Sequence, residues 1–424
     1  MIKLTSILPE STGKPEWLKI TGALLFLALF AFPLLPLKAG NAVFILFSLI
    51  TIIIFIIKPI PVRSVIIRNL VFIIPFIPYL FEFFSSGFNP LARFEFEKKI
   101  LLFVAPILIP VFLKVSGFRN YKLVLLVFSL SVAVLTMATL SYLFAEGTVF
   151  DPASYINGAY ILRNRFEVVS GIHPTYFSIL ALCAGCFLCH QPYKTSKGFR
   201  AILIVITGIL FATVMLLAVK ISIIIAVAFI PVYIMSLKLS RSKKIILVES
   251  ILILLVLLMF LLPSIRSRLT EVNLWITGKA SITNTVSQRE MITSCSWKIF
   301  TENIWLGTGS ENFQKELNNC YASKGWSVQN QSFNPHNQFL SEGINYGIFF
   351  LLIFIACLIY IFIKIFHIPE ARYFIVTIIL VFLSESILER QMGVYFFSLI
   401  AVVFYNMGEG KSNQMKSVHN EALQ

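Results

Sequence analysis

Residues 201–237 decide the fold, and they read AILIVITGILFATVMLLAVKISIIIAVAFIPVYIMSL. The only charged side chain in this stretch is Lys220. As one helix the stretch would be about 55 Å long, nearly twice the hydrocarbon thickness of a bilayer. We therefore predict two membrane-spanning helices, 200–218 and 221–237, with Lys220 at the turn between them.

The rest of the chain has the same character. It is 58% hydrophobic and 13% charged, with a mean hydropathy of +0.85. Soluble domains carry about 25% charged residues, so a soluble protein is excluded. We predict an all-α polytopic integral membrane protein with about 12 transmembrane helices and a long periplasmic segment that carries short helices. The predicted spans are 18–36, 42–57, 66–84, 99–113, 122–144, 174–189, 200–218, 221–237, 245–262, 338–363, 372–388 and 392–407.

The distribution of Lys and Arg predicts the orientation of these spans. With both termini in the cytoplasm, basic clusters fall on the cytoplasmic side, as the positive-inside rule requires. They are Lys58, Arg63 and Arg68; Lys114, Arg119 and Lys122; Lys194, Lys197 and Arg200; and Lys238, Arg241, Lys243 and Lys244. The net charge of +15 then reflects membrane topology and not a nucleic-acid partner. The segments 145–173 and 264–337 are predicted to be periplasmic.

This topology divides the chain into five parts. Residues 1–144 form transmembrane helices 1–5, and 145–263 form a periplasmic loop with helices 6–9. Residues 264–337 form the long periplasmic segment, 338–407 form helices 10–12, and 408–424 form a cytoplasmic tail.

The long periplasmic segment begins with a predicted helix. Ser287 and Glu290 form an S-x-x-E capping box, which puts Arg289 in the first turn. Gly307 and Gly309 then end the ordered stretch. In the same segment Cys295 and Cys320 are candidates for a disulfide, since the periplasm is oxidising.

The stretch NPHNQFLSEGINYG, residues 334–347, predicts the start of a membrane helix. Asn334 is a suitable N-cap and Pro335 suits the first helical position. His336 would then lie in the first turn, where unpaired N–H groups attract anions. A neutral imidazole there is a competent base, although an ordinary interfacial polar residue explains the pattern equally well.

These residues together resemble a known family, the O-antigen ligase and polymerase superfamily of bacterial membrane glycosyltransferases. The motif elements are Arg289, Trp297, Gly307 and Gly309, followed by His336, Asn337, Leu340, Gly343 and Gly347. The tract LLAVKISII (216–224) is similar to the basic turn of that family, and LSESILERQMGVYFF (383–397) resembles its ligase branch. The resemblance covers roughly residues 150–405.

The resemblance implies transfer of a glycan from undecaprenyl diphosphate to a sugar hydroxyl of lipid A-core, at the periplasmic face of the inner membrane. It further implies an inverting reaction that needs no metal or other cofactor. His336 is the counterpart of the essential histidine, with Asn337 beside it as a substrate contact. Arg289 and Lys220 are the counterparts of the essential basic residues, although the family more often has Arg at the position of Lys220.

Arg163 and Arg165 are further candidates for substrate binding. They lie two residues apart in ILRNRFE, so an extended backbone would direct both toward a donor diphosphate or toward lipid headgroups. His173, followed by Pro174, repeats the His–Pro pairing at a helix start and is either an interfacial cap or a substrate contact.

Two acidic residues near the end of a span complete the candidates. Glu385 and Glu389 are spaced i, i+4, which predicts one shared helical face. They would pair with Arg390 or with a cation of the active site, and a structural ion pair is the simpler interpretation. No D-x-D motif occurs in the sequence, so metal ligation is not predicted.

Three functions remain open at this point. The first is an O-antigen ligase, with membrane lipids, the lipid-linked donor and lipid A-core as partners. The second is a polymerase or oligosaccharyltransferase of the same superfamily, which would share the donor. The third is a flippase or transporter of lipid-linked sugars, which should show internal repeats and helices broken at the midplane. We see neither feature in the sequence.

Overall fold

The computed structural model describes residues 16–190, 196–236, 240–261, 263–279, 285–326 and 333–407. Within these ranges all regular secondary structure is helical. The α-helices are α1 (Glu16–Leu29), α2 (Leu37–Ile57), α3 (Val62–Ile73), α4 (Ile77–Ser85), α5 (Pro90–Ser116), α6 (Tyr121–Ala145), α7 (Ile156–Ser170), α8 (Pro174–Cys189), α9 (Lys197–Leu217), α10 (Lys220–Ser236), α11 (Arg241–Leu261), α12 (Pro263–Ile276), α13 (Thr285–Glu302), α14 (Ser310–Ser323), α15 (Gln338–Ile365), α16 (Pro369–Ser384) and α17 (Gln391–Met407). Short 3-10 turns occupy Ile74–Phe76, Pro152–Tyr155 and Ile387–Glu389.

Each predicted apolar segment contains a helix, so the prediction of an all-α polytopic membrane protein is confirmed. In the described part of the chain, six helices are long and apolar enough to cross a bilayer. The bent pair Ala159–Ser170 and Pro174–Cys189, with an angle of 74° between its halves, would add a seventh. The count of about twelve therefore stays a prediction. The helix in the first predicted span, 18–36, is shorter than predicted, since α1 ends at Leu29.

Polar contacts tie the helices together at one end of the bundle. Asn406 Nδ2 donates to Asn69 Oδ1 at 2.9 Å, which joins α17 to α3. The Lys122 ammonium lies 3.2 Å from Glu370 Oε1, which joins α6 to α16. We call this the opposite end, because the candidate site lies at the other one.

The other end, which we call the loop end, carries the segments between α6 and α8 and between α11 and α15. There α12 packs on α7 and α13 packs on α14. Cys295 of α13 and Cys320 of α14 form a disulfide, as the sequence analysis allowed. The N-terminus of α14 is held by α4, since the Ser310 N–H donates to Glu82 Oε1 at 2.7 Å.

The first half of α15 is separated from the second by a break at Gly347, where φ is 76°. The segment 304–309 occupies this break: the Thr308 N–H donates to Ile344 O and the Ile348 N–H donates to Ile304 O, both at 2.7 Å. A Cβ atom at Gly347 would lie 2.2 Å from the carbonyl oxygen of Trp305, so only glycine fits. The first nine residues of α15 thus form a separate short helix at the loop end.

Candidate active site

Glu385 joins two residues that the sequence analysis predicted to be catalytic. Arg289 Nη2 donates to Glu385 Oε1 at 2.5 Å, and His336 Nδ1 lies 2.8 Å from Glu385 Oε2. Arg289 also donates from Nη1 to the Ser384 carbonyl oxygen at 3.3 Å. The three side chains come from α13, from the residues before α15 and from the end of α16. One carboxylate therefore holds the guanidinium and the imidazole together.

Glu385 reaches this position because α16 ends at Ser384. Glu385 itself is extended (φ −151°, ψ 144°), and its N–H still donates to Val381 O at 2.7 Å. The prediction that Glu385 and Glu389 share one helical face is therefore wrong. The chain turns at this point, so the two carboxylates face different partners.

His336 lies before α15 and not in its first turn, which corrects the predicted cap. The helix begins at Gln338, and the N-cap is Asn337, whose side chain accepts from the Leu340 N–H at 3.0 Å. His336 has a φ of 48°, in the left-handed region that non-glycine residues rarely occupy. Asn334 accepts from the His336 N–H at 3.1 Å, which helps to hold this conformation. Strained residues of this kind are concentrated at functional sites.

The polar groups of Asn337 form hydrogen bonds within the protein. Besides capping α15, its Nδ2 donates to Leu383 O and its backbone N–H donates to Ser386 Oγ, both at 3.2 Å. These bonds fasten the start of α15 to the residues around Glu385. A direct contact of Asn337 with substrate stays a prediction.

Arg289 lies further into its helix than predicted. Because α13 begins at Thr285, Ser287 is inside the helix and the predicted capping box is wrong. The predicted end is correct, since α13 stops at Glu302, before Gly307. The Arg289 side chain is 48% exposed, so part of the guanidinium remains accessible beside its bonds to Glu385 and to the Ser384 carbonyl oxygen.

Lys220 lies at the turn between α9 and α10, as predicted. Ala218 closes α9 in the left-handed conformation, and Lys220 is the first residue of α10. On α10, the ring of Phe229 packs on that of Tyr373 of α16, with centroids 5.1 Å apart. The two helices run in opposite directions. Lys220, nine residues before Phe229 on α10, is therefore level with residue 382, nine residues after Tyr373 on α16. Lys220 thus lies at about the level of the Glu385 site.

Arg163 and Arg165 are in α7, so the predicted extended backbone is wrong. Two positions in a helix are about 200° apart, and the side chains leave opposite faces. Arg165 forms an ion pair with Glu146. The charge of Arg163 instead acts on His173.

His173 caps α8, as one of the two interpretations predicted. Its Nδ1 accepts from the Thr175 N–H at 3.3 Å, and Pro174 occupies the first helical position. The charges of Glu167, Arg163, Glu385 and Arg390 all act on His173. Arg390 itself, a residue that sequence reasoning did not place in the site, lies beside the Tyr176 hydroxyl. The start of α8 is therefore part of the same surface.

Glu389 is held in a buried ion pair, with a partner that the sequence did not indicate. Both of its oxygens accept from the Lys99 ammonium, at 3.1 and 3.2 Å. Lys99 has no exposed side-chain surface, and the Glu389 side chain is 11% exposed. Of the two predicted roles, the structural ion pair agrees with this geometry.

Glu385 is ionised over the ordinary pH range. Burial raises its pKa, but the hydrogen bond and charge of His336, together with the charge of Arg289, outweigh burial and lower the pKa below its usual value. A carboxylate beside Nδ1 must accept a hydrogen bond, so the Nδ1 atom carries the proton. The other ring nitrogen, Nε2, is then the one able to take up a proton.

The described residues contain no group of three or more His, Cys, Asp or Glu side chains arranged to hold a metal ion. Cationic groups are abundant instead, with Arg289, Arg163, Arg390 and Lys220 all at the loop end. Such a surface suits a ligand with several negative charges, such as a diphosphate.

These features define a class of protein: a polytopic helical membrane protein with a basic, histidine-containing site at one end of its bundle. Residues 201–355 match the model of a family described as O-antigen ligase, and this match supports a relationship of the chain to that family. Members of the family are glycosyltransferase-like enzymes. The matched range includes Lys220, Arg289 and His336, whereas Glu385 lies beyond it. No protein with a curated description matches the chain.

Proposed function

We propose that this protein is an O-antigen ligase, which transfers a glycan from undecaprenyl diphosphate to a sugar hydroxyl of lipid A-core. The reaction takes place at the periplasmic face of the bacterial inner membrane, inverts the anomeric carbon and uses no metal. The observation that carries this proposal is the Glu385 carboxylate shared by Arg289 and His336, because it combines a base with a cation beside it.

His336 acts as the base in this proposal. Glu385 holds the proton on Nδ1, which leaves Nε2 to accept the proton of the acceptor hydroxyl. The carboxylate also stabilises the imidazolium that forms, as in other histidine bases oriented by a carboxylate. A base of this kind contributes about 10²–10⁴ in rate.

The basic residues act on the leaving group. As the acceptor oxygen bonds to the anomeric carbon, the bond from that carbon to the phosphate oxygen breaks, and undecaprenyl diphosphate leaves with one more negative charge. Arg289, Arg163 and Lys220 would neutralise this charge, and fixed cations do so without reorganising at the moment of reaction. The proton taken by His336 afterwards passes to the diphosphate or to water.

Two observations support a periplasmic site. The basic clusters Lys58 to Arg68 and Arg241 to Lys244 flank spans on the side away from the candidate site, which suits the cytoplasm. The disulfide between Cys295 and Cys320 is at the loop end, and disulfides persist in oxidising compartments such as the periplasm.

A deletion strain tests the proposed reaction through its lipopolysaccharide. Loss of a ligase leaves bare lipid A-core on a gel, while lipid-linked polymer accumulates. Loss of a polymerase leaves core that carries a single repeat, and that pattern would reject the ligase in favour of the polymerase. An unchanged lipopolysaccharide ladder would reject both.

Complementation of this strain separates the site from the rest of the protein. The wild-type gene should restore the ladder, and His336→Ala should not. His190→Ala is the matched control, because His190 ends α8 at the opposite end and its Nδ1 lies 3.0 Å from Cys186 O. It should restore the ladder. Restoration by His336→Ala would remove the base from the mechanism.

A further inference from the structure

The connection between α16 and α17, residues 385–390, carries Glu385 and Arg390 but lies largely outside the two helices. Its position depends on contacts with other elements. Near its start, Ser386 Oγ lies 2.7 Å from Ser341 Oγ of α15. Further along, the Leu388 N–H donates to Gln338 Oε1 at 2.9 Å, and Glu389 binds Lys99.

Lys99 is the charged one of these buried partners. It lies on α5 and is fully enclosed. Besides Glu389, its ammonium contacts Glu95 Oε2 at 3.1 Å and lies 4.3 Å from the centre of the Tyr79 ring. Lys98, the next basic residue, is 3.7 Å from Glu389 and 2.6 Å from Glu95, and it is partly exposed. Lys99 is thus the principal cation bound to Glu389.

A chain of contacts also links Lys99 to the 385–390 connection by way of Tyr79, Glu342 and Gln338. Tyr79, whose ring lies against the Lys99 ammonium, donates from its hydroxyl to Glu342 Oε2 at 3.1 Å. Gln338 Nε2 donates to Glu342 Oε1 at 2.8 Å, and Gln338 Oε1 accepts from Leu388 as described. Gln338 and Glu342 belong to the first half of α15, directly after His336. The network therefore holds both the connection that carries Glu385 and the helix start that follows His336.

Charge explains why a cation is needed at this point. Three carboxylates, those of Glu95, Glu389 and Glu342, act on Lys99. Without it, Glu389 would keep only the more distant Lys98 as a cation and Glu342 only its two hydrogen bonds, which is unfavourable for buried carboxylates. The easiest relief is movement of the connection, because it is held by fewer backbone bonds than the helices beside it.

We propose that Lys99 is a positioning residue, which sets the distance between Glu385 and His336 by holding Glu389 and the 385–390 connection against α5 and α15. This inference rests on the proposed function, since the distance between Glu385 and His336 matters there for the action of His336 as a base. Lys99 touches neither His336 nor Arg289, and its effect passes mainly through Glu389, with the hydrogen bonds of Tyr79, Glu342 and Gln338 as a second path.

A cross-link measures this geometry without reference to activity. Ser341→Cys and Ser386→Cys are introduced together, with the four free cysteines replaced and the Cys295–Cys320 disulfide retained. Because the two hydroxyls are 2.7 Å apart, mild oxidation should link the new cysteines rapidly. Adding Lys99→Met should slow the cross-linking at least fivefold.

Transfer kinetics then link the geometry to the reaction. In the otherwise wild-type protein, Lys99→Met should lower kcat at least tenfold while KM for the donor changes less than threefold. Lys99→Arg should restore at least a third of kcat, because it keeps the charge. Lys122→Met is the matched control: it breaks the ion pair with Glu370 at the opposite end, and should lower thermal stability without changing cross-linking or kcat.

The outcomes are distinguishable. If Lys99→Met does not accumulate, the double variant Lys99→Met/Glu389→Met removes both buried charges and should show the same losses. Wild-type cross-linking and kcat in either variant would overturn the positioning role, as would equal losses in Lys122→Met. If the wild-type protein transfers no glycan, the proposed function fails, while the cross-linking rate still decides whether Lys99 holds the connection.

Discussion

Replacing Glu385 with Gln tests the centre of the proposed site, because it removes one charge and keeps the shape. At present one oxygen accepts from Arg289 at 2.5 Å and the other lies 2.8 Å from His336 Nδ1. An amide offers one oxygen and one NH₂ group. Whichever way it is oriented, one of the two donors then faces another donor.

The size of the effect follows from these two contacts. A hydrogen bond to a charged group contributes about 1.5–3 kcal/mol, and each 1.36 kcal/mol is tenfold in rate. We therefore expect Glu385→Gln to lose about 2–3 kcal/mol of transition-state stabilisation, or roughly 30- to 150-fold in kcat. If the amide reverses the imidazole tautomer, the loss approaches the roughly 10⁴-fold seen for the equivalent change in serine proteases.

The assay uses purified protein in detergent or nanodiscs, with lipid-linked glycan as donor and lipid A-core as acceptor. Glu385→Gln should lower kcat and leave KM for the donor within about threefold, since the cations remain. Glu146→Gln is the control, because it removes a carboxylate whose partner is the exposed Arg165. A kcat equal to that of wild type in Glu385→Gln would refute the role of this carboxylate.

The pH dependence of stability gives an independent reading of the same residue. Burial raises the pKa of Glu385, but His336 and Arg289 together lower it below its ordinary value. A group with a lowered pKa in the folded state stabilises the protein above its unfolded pKa, and this contribution is lost as the pH falls through the folded pKa. The difference in Tm between wild type and Glu385→Gln should therefore be present at neutral pH and shrink as the pH falls below about 4.3. A difference that grows on acidification would contradict the assignment.

Four further outcomes are expected. His336→Ala should accumulate normally yet transfer glycan at least about 100-fold more slowly, and near-normal activity would reduce it to a loop residue. Lys220→Arg should keep much of the activity, whereas Lys220→Gln should lose roughly 30- to 150-fold, as for a charge-assisted hydrogen bond left unmade; a fully active Gln variant would remove it from the site. Transfer should survive EDTA, and a loss restored by Mg²⁺ or Mn²⁺ would overturn the metal-free mechanism. Single cysteines at Lys279 and Lys324 should react with an impermeant thiol reagent applied outside the inner membrane, and labelling only after permeabilisation would reverse the orientation.

Local sequence patterns succeeded where the physical signal is local. Apolar runs predicted the helices because any chain in hydrocarbon must satisfy its own backbone hydrogen bonds. The turn at Lys220 followed from length alone, and the end of α13 before Gly307 followed from glycine's poor helix propensity. The same patterns failed at a helix cap, because Asn337 and not Asn334 is the N-cap of α15. They also failed at residues 163–165, which lie in helix α7 although the spacing of the two arginines suggested an extended backbone. A cap depends on which backbone groups neighbouring elements satisfy, and a window of a few residues does not contain that information.

The candidate site required the tertiary structure. Arg289 and Glu385 are 96 residues apart, and His336 and Glu385 are 49 apart, so the packing of α13, α15 and α16 brings them together. The only signal in the sequence was a carboxylate at the end of an apolar run, which marked Glu385 and Glu389 equally. Their roles differ because α16 ends at Ser384, so that the chain after it places the Glu385 carboxylate beside His336 and the Glu389 carboxylate beside Lys99.

The sequence by itself determined the membrane class, the approximate positions of the apolar helices and the residue types able to bind a charged diphosphate, because hydropathy and side-chain chemistry are properties of the residues. Only the tertiary structure decided which charges meet. In a buried region of low dielectric, an ion such as Lys99 is stable only when its partners lie within hydrogen-bonding distance. That condition is met by the packing of α4, α5, α15 and the 385–390 connection, elements far apart along the chain.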